Sequence, residues 1–578
     1  MNPSFDIQRV RAALRKTTAA LLSEMNSSGH WTGELSSSAL STAVAIIALD
    51  RMGEKNLILP GLRWLAENAN ADGGWGDTIR SKSNLSTTAL VWTAFGATGN
   101  DRTFSTVIDR AESWIWRAAG SRERLPEAII ARYGKDRTFS VPILMTLALS
   151  GRLDSEGWSS VIPLPFELSA LPQSWFGALR LPVVSYALPA LIAIGQTIHH
   201  HAPSKNPFAR FIRNCVKDRT LDRLNKLQPP NGGFLEATPL TAFVTMSLAS
   251  MGHIHHPVAI RGASFLRASV RADGSWPIDT NLATWLTTLS VKALSYQPHA
   301  LAQAQKHAIR DWLLKQQYRE IHPYTGAAPG GWAWTDLPGG VPDADDTAGA
   351  LLALAALGKP NSDVIAAAQN GVAWLLNLQN RDGGIPTFCR GWGALPFDRS
   401  SPDLTIHAIQ AWQQWREFLS TPVVNRIANA TSRACEYLRR SQRTNGSWVP
   451  LWFGNENASE QENPVYGTAR TLSALRTLPS LASKSMLENA GAYMKGVQLP
   501  TGGWGGDLNG PESIEETALA VEATNCPRGA QRLLTLLEKN ENTAAPIGLY
   551  FARLWYFERL YPLIFATSAL GRVCSNQL

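Results

Sequence analysis

The chain has 578 residues, of which 44% are hydrophobic and 17% are charged. This composition excludes a disordered protein, and the length predicts two large domains. The net charge of +8, from 54 basic and 46 acidic residues, is spread along the chain, so no nucleic-acid partner is expected. Five cysteines without a CxxC pair exclude a disulfide scaffold, argue against a zinc site and favour a reducing compartment.

The N-terminal part of the sequence predicts helices and no targeting signal. Residues 1–30 lack an uninterrupted apolar segment followed by a cleavage site. No apolar run reaches the roughly 18 residues that a membrane-spanning helix needs. Apolar residues then recur at helical spacing in TAVAIIALDRM (42–52), TALVWTAFGA (88–97) and SVPILMTLAL (140–149). Strand-like alternation is scarce, so we expect a nearly all-helical protein in which helix pairs pack side by side.

The next stretch, residues 161–196, is rich in apolar residues and prolines. Its large apolar side chains include Leu164, Phe166, Leu171, Trp175, Phe176 and Leu179. They suit an exposed apolar surface that rests on a membrane, and they equally suit another buried helix. Composition does not separate these two interpretations.

A repeated turn is prominent in the C-terminal half. Each copy has a Gln, a Gly four positions later and a large apolar residue two positions after the Gly. The copies are Gln379/Gly383/Ile385, Gln442/Gly446/Trp448 and Gln498/Gly502/Trp504, with a fainter one at Gln228/Gly232/Phe234. The Gly supplies a left-handed residue for the turn, and the Gln amide can bond free backbone groups at a helix end. We expect the repeats to hold helix pairs together and to do no chemistry.

The segment GGWAWTDLPGGVPDADDTAGALLAL (330–354) departs from that pattern. Asp343, Asp345 and Asp346 stand together at the start of an apolar helix. Capping explains one or two of them, because the free amides and the dipole of a helix favour Asp in its first turn. Crowded buried carboxylates cannot all ionise, so at least one should keep a proton that could reach a base as weak as an alkene. Carboxylates that bind a metal–diphosphate group are normally about one helical turn apart or come from facing helices, and the closer spacing here argues against that alternative.

The PDADDTA motif, the Gln/Gly/Trp repeats and GHWTGEL (29–35) together resemble the squalene–hopene cyclase family, the class II triterpene cyclases. The resemblance runs from about residue 28 to Arg572. It implies an all-α fold in which two (α/α) barrels of helical hairpins enclose a central cavity. Residues 1–25 would pack on the C-terminal domain, residues 26–265 would form an inserted barrel, and residues 266–578 would form the catalytic barrel.

The resemblance also implies a protonation site. Asp345 would protonate the terminal double bond of the substrate, supported by Asp343 and Asp346. His407, in SPDLTIHAIQAW, would lie beside Asp343, hold that carboxylate ionised and help to restore the proton on Asp345. Tyr466, in PVYGTARTL, would relay protons through water. No metal and no cofactor are implied.

Aromatic side chains should line the substrate cavity, because carbocations in a dry site need electron-rich faces that do not attack them. The positions that the resemblance implies are Trp285, Trp334, Phe388, Trp452, Tyr550 and Phe557. For each Trp the alternative is core packing. The chain departs from the family pattern at Pro182, near an expected Trp, and at Phe388 and Leu554, where a Tyr is expected. The identity of the product therefore does not transfer.

The resemblance implies a lipophilic isoprenoid substrate, squalene or a close relative, and an enzyme of the isomerase or lyase type. Such an enzyme would sit monotopically on the cytoplasmic side of a membrane; a homodimer is one open alternative for its oligomeric state. A second hypothesis is a class II cyclase of a prenyl diphosphate, which predicts a need for Mg²⁺ and cavity-facing side chains at Arg390, Arg399, Arg553 and Arg559. A third is a non-catalytic isoprenoid-binding protein.

Overall fold

The computed structural model describes residues 6–134, 137–153, 157–172, 175, 187–388, 396–539 and 543–576. Across these residues 22 α-helices make up most of the structure, and the only extended elements are three strands of two or three residues and a few isolated bridges. The prediction of an all-α fold is confirmed. No helix in the described ranges is long and apolar enough to cross a membrane.

The first barrel has inner helices that are buried on nearly all sides and outer helices that are amphipathic. The inner ring consists of α2 (Ala39–Arg51), α4 (Leu85–Ala97), α7 (Arg137–Leu149), α8 (Leu188–His201) and α10 (Thr238–Ser250). The outer helices are α3 (Ile58–Glu67), α5 (Ser105–Ala119), α6 (Leu125–Tyr133), α9 (Pro207–Leu227) and α11 (Pro257–Ser269). Each inner helix packs on the next, and α10 closes the ring on α2.

The second barrel repeats this plan with six inner helices. They are α12 (Ala283–Ser295), α14 (Ala344–Ala356), α16 (Pro402–Trp415), α18 (Pro464–Thr477), α20 (Ile514–Thr524) and α22 (Tyr561–Ser575). The outer helices are α13 (Gln303–Gln316), α15 (Ser362–Leu378), α17 (Thr421–Ser441), α19 (Lys484–Gly496) and α21 (Pro527–Glu538). Contacts between α22 and α12 close the inner ring.

The sixth outer helix of the second barrel comes from the other end of the chain. It is α1 (Ile7–Ser23), which packs on α22 and α21. Val10, Leu14 and Leu21 enter the hydrophobic core of the second barrel, and Arg9 forms a salt bridge with Glu538. The domain boundaries near residues 25 and 265 remain predictions from the resemblance.

The repeated glutamines bridge one helix end to the next. Gln379 Nε2–H donates to the carbonyl oxygens of Gly383, at 2.8 Å, and Ala430, at 2.9 Å. Gln442 bonds Gly446 and Met486 in the same way, both at 3.0 Å. Each amide thus links its own turn to the outer helix that follows, which is the structural role that the repeats suggested.

The repeated tryptophans bond the same turns to the outer helix that precedes them. The indole N–H of Trp448 donates to the Leu438 carbonyl at 2.8 Å, and that of Trp504 donates to the Met494 carbonyl at 2.8 Å. Trp75 and Trp276 in the first barrel bond the carbonyl ten residues earlier in the same manner. Both barrels therefore use one joint between the outer helix and the following turn.

A small antiparallel sheet lies beside the second barrel. It has the order β1–β2–β3, with β1 (Phe453–Gly454), β2 (Ile547–Leu549) and β3 (Leu554–Tyr556). Phe453 pairs with Leu549, and Ile547 pairs with Tyr556. Because side chains alternate along a strand, Leu554 and Tyr556 point to one face and Trp555 points to the other.

Among the large apolar side chains named in the stretch 161–196, Phe166 is not exposed as the membrane interpretation requires. Phe166 is fully buried against α8 and α9, with its ring 5.9 Å from that of His199. Trp175 is exposed, Leu164 and Leu171 are partly buried, and Phe176 and Leu179 lie outside the described residues.

Candidate active site

A cavity of about 240 Å³ lies where loops of the two barrels meet. Its described wall is mostly apolar and aromatic. The lining residues are Leu35, Leu235, Ala237, Ile278, Asp279, Leu282, Trp285, Trp334, Asp343, Asp345, Asp346, Thr387, Phe388, Phe397, Trp452, Phe453, Leu549, Leu554, Tyr556 and Tyr561. All three carboxylates of the acid motif thus face the same enclosed space as the aromatic side chains.

Backbone hydrogen bonds fix the acid motif at the start of α14. Asp343 is the N-cap, and its Oδ1 accepts the Asp346 N–H at 2.9 Å. The Asp343 N–H donates to the Trp332 carbonyl, and the Ala344 N–H donates to the Thr387 carbonyl, both at 2.9 Å. Capping accounts for Asp343, and leaves Asp345 and Asp346 without a capping role.

Two of the three carboxyl groups are deeply buried. Asp343 and Asp346 are each 4% exposed. Burial raises the pKa of both groups, and the Asp345 carboxylate raises it further. Hydrogen bonds with Asp346 partly offset the rise in the pKa of Asp343, whereas Asp343 adds to the rise in the pKa of Asp346. Since two adjacent buried carboxylates repel each other, at least one of them is protonated at neutral pH.

Asp345 makes a different contact. Its Oδ1 lies 2.5 Å from Nδ1 of His407, which projects from the middle of α16. This corrects the expectation that His407 lies beside Asp343. Burial lowers the pKa of His407, whereas the Asp345 carboxylate acts to raise it. The Asp345 side chain is 15% exposed, and that exposed part faces the cavity.

A second, polar cleft lies behind His407. It has a volume of about 40 Å³ and is lined by His407, Asp403, Arg470 and the Lys292–Glu522 ion pair, whose Nζ and Oε1 atoms are 2.7 Å apart. Asp345 does not line this cleft, and His407 does not line the apolar cavity. The Asp345–His407 contact therefore connects the two spaces.

Tyr466 lies close to this contact without lining either space. It is buried, and its ring centroid is 4.6 Å from that of Phe453. Burial raises the pKa of its hydroxyl well above the ordinary value, with Arg470 acting in the opposite direction and Asp345 reinforcing the rise. Its hydroxyl group is therefore a neutral donor or acceptor at physiological pH.

Most of the predicted aromatic residues line the cavity. Trp285, Trp334, Phe388 and Trp452 are in its wall. Phe557 is not: the Arg80 guanidinium lies over its ring, 4.5 Å from the centroid, and its N–H donates to Ser36 Oγ. Only the backbone of Tyr550 is among the described parts of the chain.

Several lining residues were not expected from the sequence. They are Asp279, Phe397, Phe453, Tyr556 and Tyr561. Tyr556 is the neighbour of the predicted Phe557, and strand alternation turns Tyr556 and Leu554 into the cavity. Phe453 likewise follows the predicted Trp452. A period of two in LWY could have indicated this register, but the strand is too short to be read with certainty.

The family to which the chain belongs follows from two matches. The model of the squalene-hopene cyclase N-terminal domain matches residues 14–223, and that of the squalene-hopene cyclase C-terminal domain matches residues 282–548. The chain belongs to the squalene–hopene cyclase family. It is thus an enzyme, a class II terpene cyclase of the isomerase type.

Individual relatives of this cyclase are distant. Squalene hopane cyclase afumA of Aspergillus fumigatus is 25% identical over 89% of this chain and 81% of its own length. The squalene–hopene cyclase of Zymomonas mobilis is 24% identical over 88% of this chain and 84% of its own. Among solved structures, ent-copalyl diphosphate synthase from Streptomyces platensis has a TM-score of 0.59 at 17% identity and covers 99% of this chain and 100% of its own, which supports the fold.

The three described arginines of the diphosphate hypothesis do not line the cyclase cavity. Arg399 is exposed, Arg559 pairs with Glu24, and Arg553 is partly buried elsewhere. Arg390 lies outside the described residues. Within the described wall there is no lysine or arginine, and four carboxyl groups are present. Such a wall disfavours a dianionic head group.

Proposed function

We propose that this cyclase protonates and cyclises a linear C30 isoprenoid, squalene or a close relative, to a polycyclic triterpene. The observation that carries the proposal is the position of Asp345. Its carboxyl group faces an apolar, aromatic cavity on one side and contacts His407, at 2.5 Å, on the other. Asp345 can therefore give a proton to a substrate in the apolar cavity and receive another from the side of the polar cleft behind His407.

The proton donor in this proposal is Asp345. Protonation of the terminal alkene forms a C–H bond and leaves a tertiary cation, and the electron pairs of the following double bonds close the rings in turn. Asp343 and Asp346 assist because their buried carboxyl groups, partly protonated, limit the negative charge around the donor. Fewer negative charges beside the donor lower the electrostatic cost of the carboxylate that Asp345 becomes when its O–H bond breaks.

A new proton would reach the Asp345 carboxylate through His407 after each turnover. The imidazole lines the polar cleft together with Asp403 and Arg470, and Lys292 at its edge is partly exposed to solvent. Tyr466 adds a hydroxyl group near Asp345 for a relay through water. Because these groups lie behind the acid, solvent can reach His407 without entering the cavity where a cation would be quenched.

The aromatic wall would stabilise the migrating charge. Trp285, Trp334, Phe388 and Trp452 surround the cavity, and ring faces attract a cation by about 1–2 kcal/mol each when desolvated. The reaction ends in one of two ways. Loss of a proton from the last cation gives an isomer of the substrate, and capture of water followed by loss of a proton gives an alcohol. No cofactor takes part in these steps.

Product analysis tests this function. We expect the purified protein in detergent to convert squalene to cyclic products and to leave geranylgeranyl diphosphate unchanged, with products identified by mass spectrometry. Conversion of the diphosphate alone, dependent on Mg²⁺, would instead establish the prenyl diphosphate hypothesis. Binding of squalene without any conversion would establish the isoprenoid-binding hypothesis.

The role of the acid has its own matched control. Asp345→Asn should abolish product formation while the melting temperature stays near that of the wild type. Asp363→Asn makes the same chemical change in the first turn of α15, at an exposed position, and should retain full activity. Full turnover by Asp345→Asn would refute the assignment of the acid.

We also propose that the enzyme rests on the cytoplasmic face of a membrane. Phe208 and Phe211 on α9 are 71% and 65% exposed, and Trp175 is exposed as well. Helix α9, which carries both phenylalanines, packs on residues 166–170 of the apolar stretch. Flotation with anionic lipid vesicles should recover the wild type, and Phe208→Ser/Phe211→Ser should reduce recovery several-fold. Equal recovery would refute this surface.

A further inference from the structure

Three tryptophans in the described part of the cavity wall share one feature that the sequence does not reveal. Each donates its indole N–H to a polar group of the wall. Trp452 donates to Thr387 Oγ1 at 2.7 Å, and Trp285 donates to Tyr561 Oη at 3.1 Å. Trp334 donates to Asp279 Oδ2 at 3.1 Å.

These hydrogen bonds determine which part of each indole faces the cavity. The edge of an aromatic ring, and the N–H above all, carries positive charge, whereas the face carries negative charge. An N–H group that pointed into the cavity would repel a carbocation and would itself lack a partner. Binding the N–H in the wall removes both penalties and restricts rotation of the ring.

The backbone around Asp279, the acceptor of the Trp334 hydrogen bond, is fixed by contacts with the first barrel. It lies in the loop between α11 and α12 and forms an antiparallel bridge with Ala237. The carbonyl of the preceding Ile278 accepts the Thr238 N–H at 3.0 Å. The acceptor of the Trp334 bond is therefore anchored on the first barrel, while Trp334 belongs to the segment that leads to the acid motif of the second.

The backbone of Trp334 is anchored as well. Its carbonyl oxygen accepts the N–H groups of Thr284, at 2.9 Å, and Trp285, at 3.2 Å. The ring contacts Phe388, with centroids 6.1 Å apart. With the backbone fixed and Phe388 on one side, the bond to Asp279 is the interaction that sets the remaining rotation of the indole.

We propose that Asp279 is a positioning residue for cyclisation, which fixes the indole of Trp334 so that its face lines the path of the cation. This inference rests on the proposed function. It adds to the acid motif a fourth cavity carboxyl group with a separate task. Asp279 acts through Trp334 and takes no part in the transfer of the proton.

The protonation state of Asp279 suits this role. Burial raises the pKa of its carboxyl group well above the ordinary value, and Glu236 nearby raises it further. A neutral carboxyl group still accepts the indole N–H through one oxygen, and it places no negative charge where it would capture a cation. An amide is the closest neutral replacement, so Asn should substitute for Asp at this position.

The test is a double-mutant cycle between Asp279 and Trp334, measured on squalene. Asp279→Leu should lower kcat about 5- to 10-fold and raise the share of incompletely cyclised products, whereas Asp279→Asn should stay within about 2-fold of wild type. Trp334→Phe removes the N–H, so adding Asp279→Leu to Trp334→Phe should cause little further change. Asp311→Leu, at a surface position that is 60% exposed, is the control and should leave kcat and products unchanged.

Two kinetic outcomes would overturn the proposal. Equal effects of Asp279→Leu in the wild-type and Trp334→Phe backgrounds would mean that Asp279 acts without the indole. Loss of activity in Asp279→Asn comparable to that in Asp279→Leu would mean that an acidic group is needed, for example as a base that takes the final proton. If Asp279→Leu does not fold, Asp279→Ala tests the same bond.

A crystal structure of Asp279→Leu separates this proposal from the proposed function. The indole of Trp334 should rotate or become disordered, and those of Trp285 and Trp452 should stay in place. An unmoved Trp334 indole would overturn the positioning role even in an active enzyme. If the wild type does not cyclise squalene, the proposed function fails, and the ring orientation still reports whether Asp279 sets it.

Discussion

Replacing any one of the repeated glutamines by alanine should destabilise the protein. The size of the loss should follow the burial and the hydrogen bonds of the glutamine that is removed. Gln379 is completely buried and donates to two carbonyl oxygens, at 2.8 and 2.9 Å. Gln442 also donates to two carbonyls, at 3.0 Å each, but is only partly buried. Gln498 donates to one carbonyl, Gly502, and to the weak acceptor Cys526 Sγ at 3.5 Å. We therefore expect Gln379→Ala to be the most harmful change and Gln498→Ala the least.

The magnitude follows from the acceptors that each change leaves unpaired. A net hydrogen bond contributes about 1 kcal/mol, and an unsatisfied buried carbonyl costs about 1–3 kcal/mol. Gln379→Ala should therefore reduce the free energy of unfolding by about 2–4 kcal/mol, and Gln498→Ala by about half as much. At about 2 °C per kcal/mol for a large domain, the melting temperatures should fall by about 4–8 °C and about 2–4 °C.

Differential scanning fluorimetry and activity measurements together provide the assay. Gln303→Ala, an exposed glutamine outside the repeats, is the control and should melt with the wild type. At a temperature where all variants remain folded, the product distribution should be the same as that of the wild type. Equal destabilisation at the three sites, or altered products without loss of stability, would refute a purely structural role for the repeats.

Three further changes test the packing around the site. Lys292→Met should destabilise the protein by about 1–3 kcal/mol, because it leaves the buried Glu522 carboxylate without its ion pair. In a melting experiment, the double variant Lys292→Met/Glu522→Gln should recover most of this lost stability. Burial raises the pKa of Glu515 to about 8. Between about pH 5 and pH 8 the folded state therefore holds a proton that the unfolded state has lost, and stability falls as the pH rises through this range. Glu515→Gln should flatten the dependence of melting temperature on pH. Gly446→Ala should lower the melting temperature, since φ is +90° and a Cβ would clash with the Asn489 carbonyl oxygen. Gly491→Ala, at a position with open space, should not lower it.

The parts of the fold that depend on repeated local chemistry could be predicted from the sequence. The positions of Gln379, Gly383 and Trp448 indicated helix joints because the same residue types recur at the same spacing. The all-α fold and the family were confirmed. By contrast, the burial of Phe166 depends on where α8 and α9 pass in three dimensions, and apolar composition is the same for a buried and an exposed surface.

The acid motif of the candidate site could be predicted from the sequence, whereas its contact with His407 and part of the cavity wall could not. The crowding of Asp343, Asp345 and Asp346 is local, so the acid motif was evident. Which of these carboxyl groups faces His407 depends on how α14 and α16 are rotated about their axes, and the two helices lie sixty residues apart in sequence. Tyr556 replaced Phe557 in the wall because a shift of one residue along a strand reverses the side that a side chain faces.

The placement of α1 on α22 has a consequence for biosynthesis. Helix α1 is synthesised long before its partner α22, and the whole first barrel is made between them. Residues 39–269 form a contiguous ring that can fold while translation continues, whereas the outer layer of the second barrel stays open until α22 arrives. During that interval the apolar stripe of Val10, Leu14 and Leu21 has no native partner, which makes the nascent chain a candidate for chaperone binding.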